Sequence, residues 1–191
     1  MTRQQMKLEA KQALKGNLGV AIGIYIVYGV IVAALSSIGV GGFFVGLFAY
    51  GIMVAFLAMA RTNKLEFTDL FSGFNNFGTV FGATLLKAIY TVLWTLLFFI
   101  PGFVKSYSYA MTEYILADEP DLKCNEAITK SRKMMNGHKM ELFILDLSFI
   151  GWAFLCALTL GILTFYVTPY MLTTRAKFYE NLKANYVEEK N

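Results

Sequence analysis

The sequence predicts an all-α protein, a polytopic bundle of transmembrane helices with amphipathic helices at its cytoplasmic surface. Of the 191 residues, 57% are apolar and only 16% are charged, and residues 16 to 60 contain no Asp, Glu, Lys or Arg. Soluble proteins average about 25% charged residues. The charge-free stretch is long enough to cross a bilayer core of about 30 Å twice. These observations exclude an ordinary soluble domain and favour a single membrane domain over 1–191.

Six apolar segments predict six crossings that pair into three hairpins. At about 20 residues for each crossing, they lie near 18–38, 43–60, 77–100, 103–118, 139–158 and 161–180. We expect turns at Gly39-Val40-Gly41-Gly42 and Leu158-Thr159-Leu160-Gly161, a helix end at Pro101-Gly102 and a kink at Pro169. A five-helix alternative treats 142–168 as one long tilted span.

The distribution of Lys and Arg predicts that both termini are cytoplasmic. In the six-span arrangement, 15 of the 17 basic residues lie on one side and the three opposite turns carry none. Cytoplasmic loops of membrane proteins are enriched in Lys and Arg, whereas the five-helix alternative would place the basic carboxyl-terminal segment outside. The net charge of +4 is therefore attributed to cytoplasmic loops, and no nucleic-acid partner is expected.

A shorter element precedes each predicted hairpin, which suggests units covering 2–60, 61–118 and 119–182. The first element, 2–15, begins with a capping box of Thr2 and Gln5. Its predicted apolar face consists of Met6, Ala10, Ala13 and Leu14.

The other two elements differ in helical character. The middle one has helically spaced Phe67, Leu70, Phe71, Phe74 and Phe77, but Gly73, Asn75 and Asn76 weaken a long helix there. The third, 121–136, has Asp121 as candidate N-cap, Asn136-Gly137 as candidate C-cap and an apolar stripe of Cys124, Ala127, Ile128, Ser131 and Met134.

The first and third elements are expected to lie on the cytoplasmic membrane surface. Lys and Arg on one face of an amphipathic helix favour anionic lipids. The residues predicted to contact the lipid surface are Arg3, Lys7, Lys11, Lys15, Lys123, Lys130 and Lys133. The expected partner is therefore the lipid bilayer, with anionic lipids preferred, and a membrane protein or a second copy of the chain is an alternative partner.

Charged residues inside predicted spans give the candidate functional site. They are Lys87, Lys105, Glu113 and Asp146, and Lys105 lies near a predicted outer boundary where it can snorkel. A charge at the bilayer centre costs about 2.5–3.5 kcal/mol, so Lys87 needs a partner. We predict that it pairs with Asp146, with Glu113 as the competing carboxylate. The cluster of Lys87, Glu113 and Asp146 is either a proton or substrate site or an ion pair that fixes helix packing.

No motif for catalysis or metal binding is present. Cys124 and Cys156 lie in different settings, so a disulfide is not expected, and His138 is the single histidine. The chain contains no Gly-x-Ser-x-Gly, no His-Glu-x-x-His and no phosphate loop. We therefore expect no enzyme, no cofactor and no metal.

A family resemblance covers most of the chain, and the run from Ile100 to Tyr179 is its most specific part. It comprises Pro101-Gly102, Asp118-Glu119-Pro120, Glu126-Ala127-Ile128, Ser131-Arg132, Met135, Gly137-His138-Lys139, Leu147 to Trp152, Leu158 to Gly161 and Pro169-Tyr170. In these residues the chain resembles the bacterial integral membrane proteins filed as domain of unknown function 975. The resemblance implies a multi-pass protein of the bacterial plasma membrane and supplies no catalytic residue.

Two functions are compatible with the sequence. The first is a non-enzymatic accessory protein whose surface helices organise lipids or partner proteins. The alternative is a small solute or proton-coupled transporter that uses Lys87, Glu113 and Asp146. Flux in liposomes, tested for dependence on Asp146, discriminates between them.

Overall fold

The structure, a computed structural model, describes residues 2–37, 41–97 and 99–188. In these ranges the regular elements are helices and no strand is found. They are α1 (Arg3–Ser37), α2 (Gly41–Thr62), a 3-10 helix (Phe67–Phe74), α3 (Phe77–Leu97), α4 (Phe99–Ser108), α5 (Thr112–Asp118), α6 (Cys124–Met134), α7 (Lys139–Leu147), α8 (Ile150–Leu158) and α9 (Thr164–Glu188). The predicted all-helical class is confirmed.

Among the described residues, four helical segments are long and apolar enough to cross a membrane. They are Arg3–Ser37, Phe44–Thr62, Phe77–Thr95 and Lys139–Leu158. The other two predicted crossings differ from them for physical reasons. The segment 103–118 is divided between α4 and α5 by a turn, and α9 carries several charged residues beyond its midpoint.

Helix α1 joins two segments that the sequence analysis treats separately. The predicted surface element and the first predicted span form one helix of 35 residues, about 52 Å long at 1.5 Å per residue. The predicted capping box is confirmed, because the Thr2 N–H donates to Oε1 of Gln5 at 2.8 Å and the Gln5 N–H donates to Oγ1 of Thr2 at 3.3 Å. The turn predicted at Gly39 and Val40 lies outside the described residues, and Gly41 already belongs to α2.

Helices α1 and α9 pack against each other with opposite directions. Glu9 near the start of α1 forms a salt bridge of 3.3 Å with Lys177 in the later part of α9. The rings of Tyr25, farther along α1, and Phe165, at the start of α9, lie 6.0 Å apart. The beginning of α1 and the end of α9 therefore lie at the same end of the bundle.

The 3-10 helix contacts α2 through the backbone. A Cβ atom at Gly51 would overlap the carbonyl oxygen of Leu70, and one at Gly73 would lie 3.1 Å from the carbonyl carbon of Leu47. Both positions therefore need glycine. Of the predicted aromatic stripe, Leu70 is buried, whereas Phe67, Phe71, Phe74 and Phe77 are exposed.

The helix end predicted at Pro101-Gly102 falls within α4. We expected the helix to end at Pro101-Gly102, but α3 ends at Leu97 and Pro101 lies in the first turn of α4. Proline is tolerated there because the first N–H groups of a helix have no intrahelical acceptor. The expected helix end at Pro101 is therefore wrong.

Residues 139–164 form two short helices and a turn rather than one long span. Helix α8 ends at Leu158 and α9 begins at Thr164, while Leu160 and Gly161 have φ angles of 51° and 86°. This left-handed backbone ends the helix. Residues 142–168 are therefore not one continuous helix, and the turn predicted at Leu158 to Gly161 is confirmed.

Helix α6 packs its predicted stripe against α3 and α5. Ala127, Ile128, Ser131 and Met134 are buried. The expected N-cap at Asp121 is wrong: the helix starts after Lys123, whose backbone N–H donates to Glu126 at 3.3 Å.

Asp118 connects α2, α5 and α9 at a position outside the four candidate spans. Its carboxylate forms a salt bridge of 2.6 Å with Arg61 and accepts hydrogen bonds from Tyr179 at 2.7 Å and Lys183 at 2.5 Å. Burial raises the pKa of this carboxyl, but the hydrogen bonds from Arg61, Lys183 and Tyr179 outweigh burial and lower it to about 2. Asp118 therefore stays ionised at neutral pH and holds the three helices together.

Candidate functional site

A cavity of about 300 Å³, here named the charged cavity, lies where α3, α4, α5, α7 and α9 approach α2. It is lined by Met53, Lys87, Phe103, Ser106, Tyr107, Ala110, Glu113, Leu142, Asp146 and Arg175. The predicted residues Lys87, Glu113 and Asp146 are therefore brought together, although they come from three different helices.

Two ion pairs line the charged cavity, and they differ from the predicted pairing. Lys87 on α3 pairs with Glu113 in the first turn of α5. Asp146 on α7 pairs instead with Arg175 on α9, whose Nε and Nη2 donate to the two carboxylate oxygens at 3.0 and 2.8 Å. The predicted Lys87–Asp146 pair is wrong, because the planar guanidinium of Arg175 matches both oxygens of Asp146 and leaves Glu113 for Lys87.

Arg175 and Tyr107 are site residues that the sequence analysis missed. The Tyr107 hydroxyl donates to Oδ2 of Asp146 at 3.2 Å. Arg175 is one of the 15 basic residues that the six-span arrangement predicts on the cytoplasmic side. A signal was present, because Arg175 is the only charged residue between Asp146 and Lys177, and an isolated charge in an apolar segment needs a partner.

Glu113 is the most deeply buried charged group of the cavity. The residue is 6% exposed, and Oε1 accepts the hydrogen bond from Lys87. Its second oxygen, Oε2, is buried without a hydrogen-bond partner in the described structure, as is the hydroxyl of the neighbouring Tyr114. A buried polar atom without a partner is costly, so Oε2 marks a position where a hydrogen-bond donor would be stabilised.

A second cavity adjoins the first. This apolar groove, of about 520 Å³, lies between α7, α8 and α9 and is lined by Tyr107, Phe143, Asp146, Leu147, Phe149, Ile150, Ala153, Cys156, Thr164, Val167, Thr168 and Met171. Tyr107 and Asp146 line both cavities. The charged cavity therefore adjoins an apolar space, and these two side chains form the boundary between them.

The predicted lipid-surface residues have different environments. Arg3, Lys11, Lys15, Lys123 and Lys133 are exposed. Lys7 instead lies 4.4 Å from the centre of the Phe149 ring and donates to the carbonyl of Ser148 at 3.4 Å, while Lys130 pairs with Glu119.

The apolar face of the first amphipathic element is occupied by protein. Met6, Ala10, Ala13 and Leu14 are all buried where α1 packs along α2 and α9. This face is therefore unavailable for insertion into the lipid surface, whereas Arg3, Lys11 and Lys15 remain exposed.

The remaining predicted residues show no metal or disulfide chemistry within 2–37, 41–97 and 99–188. No group of three metal-ligating side chains is found in these ranges, and Cys124 and Cys156 are free thiols. His138 lies 3.1 Å from Glu141, and Lys105 lies 4.6 Å from the centre of the Trp94 ring.

The fold and the cavity define the class of protein. An all-helical chain with several apolar helices long enough to cross a bilayer is characteristic of a polytopic membrane protein. Residues 96–186 match the family described as "Protein of unknown function (DUF975)", the family that the sequence resembles. The matched segment contains Glu113, Asp146 and Arg175, whereas Lys87 precedes it. No curated protein and no solved structure matches the chain.

The pairing in the charged cavity predicts energetic coupling between Lys87 and Glu113. Lys87→Met or Glu113→Leu alone should lower the thermal stability of the full chain in detergent, because each leaves a buried charge unpaired. The double variant should regain part of the loss. A double-mutant cycle read by thermal unfolding measures this coupling, and we expect it to exceed about 0.5 kcal/mol.

The matched control for this cycle is Lys87→Met combined with Asp146→Leu. These residues line the same cavity but do not form a hydrogen-bonded pair, so their coupling energy should be smaller than that between Lys87 and Glu113. Additive effects for Lys87 and Glu113, together with coupling between Lys87 and Asp146, would contradict the observed pairing.

Proposed function

We propose that the protein is a small solute or proton-coupled transporter whose site is the charged cavity. The observation that carries this proposal is the convergence of Lys87, Glu113, Asp146 and Arg175 on one cavity. Ionisable residues within membrane-spanning segments are costly and commonly mark ion or substrate pathways. The buried apolar face of α1 also weakens the rival case for a protein that acts mainly through its surface helices.

Asp146 and Glu113 have unequal environments, which supports the proposal that the cavity binds and releases a charged group. Asp146 is matched on both oxygens by Arg175 and also accepts from Tyr107. Glu113 accepts a hydrogen bond on Oε1 only, from Lys87. A proton or a cationic group can replace Lys87 at Glu113 with the loss of a single hydrogen bond. Glu113 is therefore the carboxylate at which such a replacement costs least.

The membrane arrangement belongs to the same proposal. We propose six crossings with both termini in the cytoplasm and a location in the bacterial plasma membrane. The support is the one-sided distribution of basic residues and the contact between the start of α1 and the later part of α9 through Glu9 and Lys177.

The transport proposal predicts flux that depends on the cavity carboxylates. Purified protein in liposomes should move protons under an imposed potential, followed with an internal pH-sensitive dye. Asp146→Asn should reduce the rate by at least about tenfold, as expected when a barrier rises by about 1.4 kcal/mol, because it leaves Arg175 without its ionised partner.

Two further variants complete the flux experiment. Glu141→Gln is the matched control, because Glu141 is an exposed carboxylate on the same helix, and it should retain the rate. Glu113→Gln gives a second test if Asp146→Asn fails to fold. Folded carboxylate variants with unchanged rates, or wild-type rates equal to those of empty liposomes, would exclude proton transport through this cavity.

The proposed topology predicts the sidedness of three positions. In a background with Cys124→Ser and Cys156→Ala, a cysteine at Gly41 or Thr159 should react with an impermeant thiol reagent from outside intact cells. A cysteine at Asn185 should react only after permeabilisation. Labelling of Asn185 from outside would show that the number of crossings is odd.

A second candidate function is the organisation of anionic lipid at the cytoplasmic surface. The observation that favours it is the exposure of Arg3, Lys11 and Lys15 on one end of α1, with Lys123 and Lys133 exposed on and beside α6. A cation near an anionic membrane surface gains about 1 kcal/mol. This second function is therefore supported only by the exposed basic residues, since the apolar face of α1 is buried.

Lipid composition tests the second candidate in the intact protein. The full chain in nanodiscs should unfold at a higher temperature in anionic than in neutral lipid. About 1 M salt should abolish the difference, because the Debye length then falls to about 3 Å. Lys11→Gln with Lys15→Gln should reduce the difference. Equal unfolding temperatures in both lipids at low salt would eliminate this function.

A further inference from the structure

We infer that the charged cavity and the apolar groove together bind one amphiphile, with an acyl chain in the groove and a zwitterionic head group bearing a primary ammonium in the cavity. The inference rests on the proposed function and names the class of ligand that the site takes. It follows from four features: the size of the groove, its junction with the cavity, the position of its mouth and the charges of the head-group end.

The apolar groove has the size and lining of a site for a hydrocarbon chain. Its volume of about 520 Å³ falls within the range of about 300–1,000 Å³ that is typical of small-molecule sites. The walls include Phe143 and Leu147 of α7, Ala153 of α8, and Val167 and Met171 of α9. A flexible chain would bury apolar surface along these side chains.

The two cavities meet at a polar boundary. Tyr107 and Asp146 line both spaces, and their hydrogen bond of 3.2 Å lies at the junction. A ligand that occupies both spaces therefore needs an apolar part and a charged part joined in one molecule, which is the definition of an amphiphile.

The mouth of the groove indicates where this ligand comes from. Leu147 and Ile150 line the groove and are 47% and 66% exposed. Both lie in the candidate span Lys139–Leu158. Large exposed apolar residues on a membrane-spanning segment contact the hydrocarbon of the bilayer. The groove is therefore reached sideways from the membrane, and a lipid has direct access to it.

The charges of the cavity specify the head group. In the described part of the chain, its lining includes the cations Lys87 and Arg175 and the carboxylates Glu113 and Asp146, a set that is neutral overall and matches a head group with one charge of each sign. The unpartnered Oε2 of Glu113 can accept an N–H from a primary ammonium. Arg175 uses Nε and Nη2 for Asp146, and the second NH₂ group of a guanidinium can donate to a phosphate.

The test uses three lysophospholipids of equal chain length as probes, with ethanolamine, choline and glycerol head groups. Binding to the purified full chain in detergent is measured by native mass spectrometry. The ethanolamine probe should bind at least about tenfold more tightly than the others, because its ammonium alone can donate an N–H to the Glu113 carboxylate. The choline probe has no N–H, and the glycerol probe has no cation. Glu113→Gln should remove the preference for ethanolamine.

Matched variants test the groove separately. Ala153→Phe fills the groove from an exposed position of α8 and should weaken binding of the ethanolamine probe by at least about tenfold, a loss of about 1.4 kcal/mol. Ala157→Phe, one turn farther along the same helix and outside the groove lining, should leave binding unchanged. Phosphoethanolamine without a chain should bind far more weakly than the lysolipid.

The outcomes separate this inference from the proposed transport function. Equal binding of the three probes, equal effects of the two alanine variants, or tight binding of phosphoethanolamine alone would overturn the amphiphile site. If Asp146-dependent proton flux persists in that case, the transport proposal stands without it. If the ethanolamine probe binds as expected but no flux is detected, the site holds a lipid and the transport proposal fails.

Discussion

Compensation of buried charge is the constraint that determines how α5, α7 and α9 are arranged. A carboxylate among apolar helices is tolerated only when cations and hydrogen-bond donors surround it. Asp146 brings α7 to Arg175 of α9, and Asp118 brings α5 to α9 through Lys183 and to α2 through Arg61. Since α9 also packs along α1 and α2, its two basic side chains link the short carboxyl-terminal helices to the longer apolar ones.

The sequence predicts the helices and the members of the charged site better than it predicts their pairing. Apolar length and charge placement indicate the class of protein and the cluster of Lys87, Glu113 and Asp146. The sequence gives only the depth of each charged residue along its predicted helix. Depth does not reveal how that helix is rotated about its axis. Rotation decides that Asp146 meets Arg175 and that Glu113 meets Lys87. For the same reason Arg175 counts among the basic residues predicted on the cytoplasmic side, although it lines the charged cavity.

Helical periodicity also does not reveal what covers an apolar face. The stripe of Met6, Ala10 and Leu14 was predicted correctly as a face, but protein and lipid are equally apolar partners, and here protein covers it. A proline likewise does not fix the end of a helix by itself. Pro101 stops a helix only if the preceding residues are helical and continuous with it, and in this chain it lies in the first turn of a new one.

The glycine contacts between α2 and the 3-10 helix have a mechanical consequence. At Gly51 and Gly73 the two backbones meet with no side chain between them, so neither helix can slide or rotate against the other without a clash. This contact fixes α2 against the 3-10 helix at Gly51, two residues before Met53 in the wall of the charged cavity.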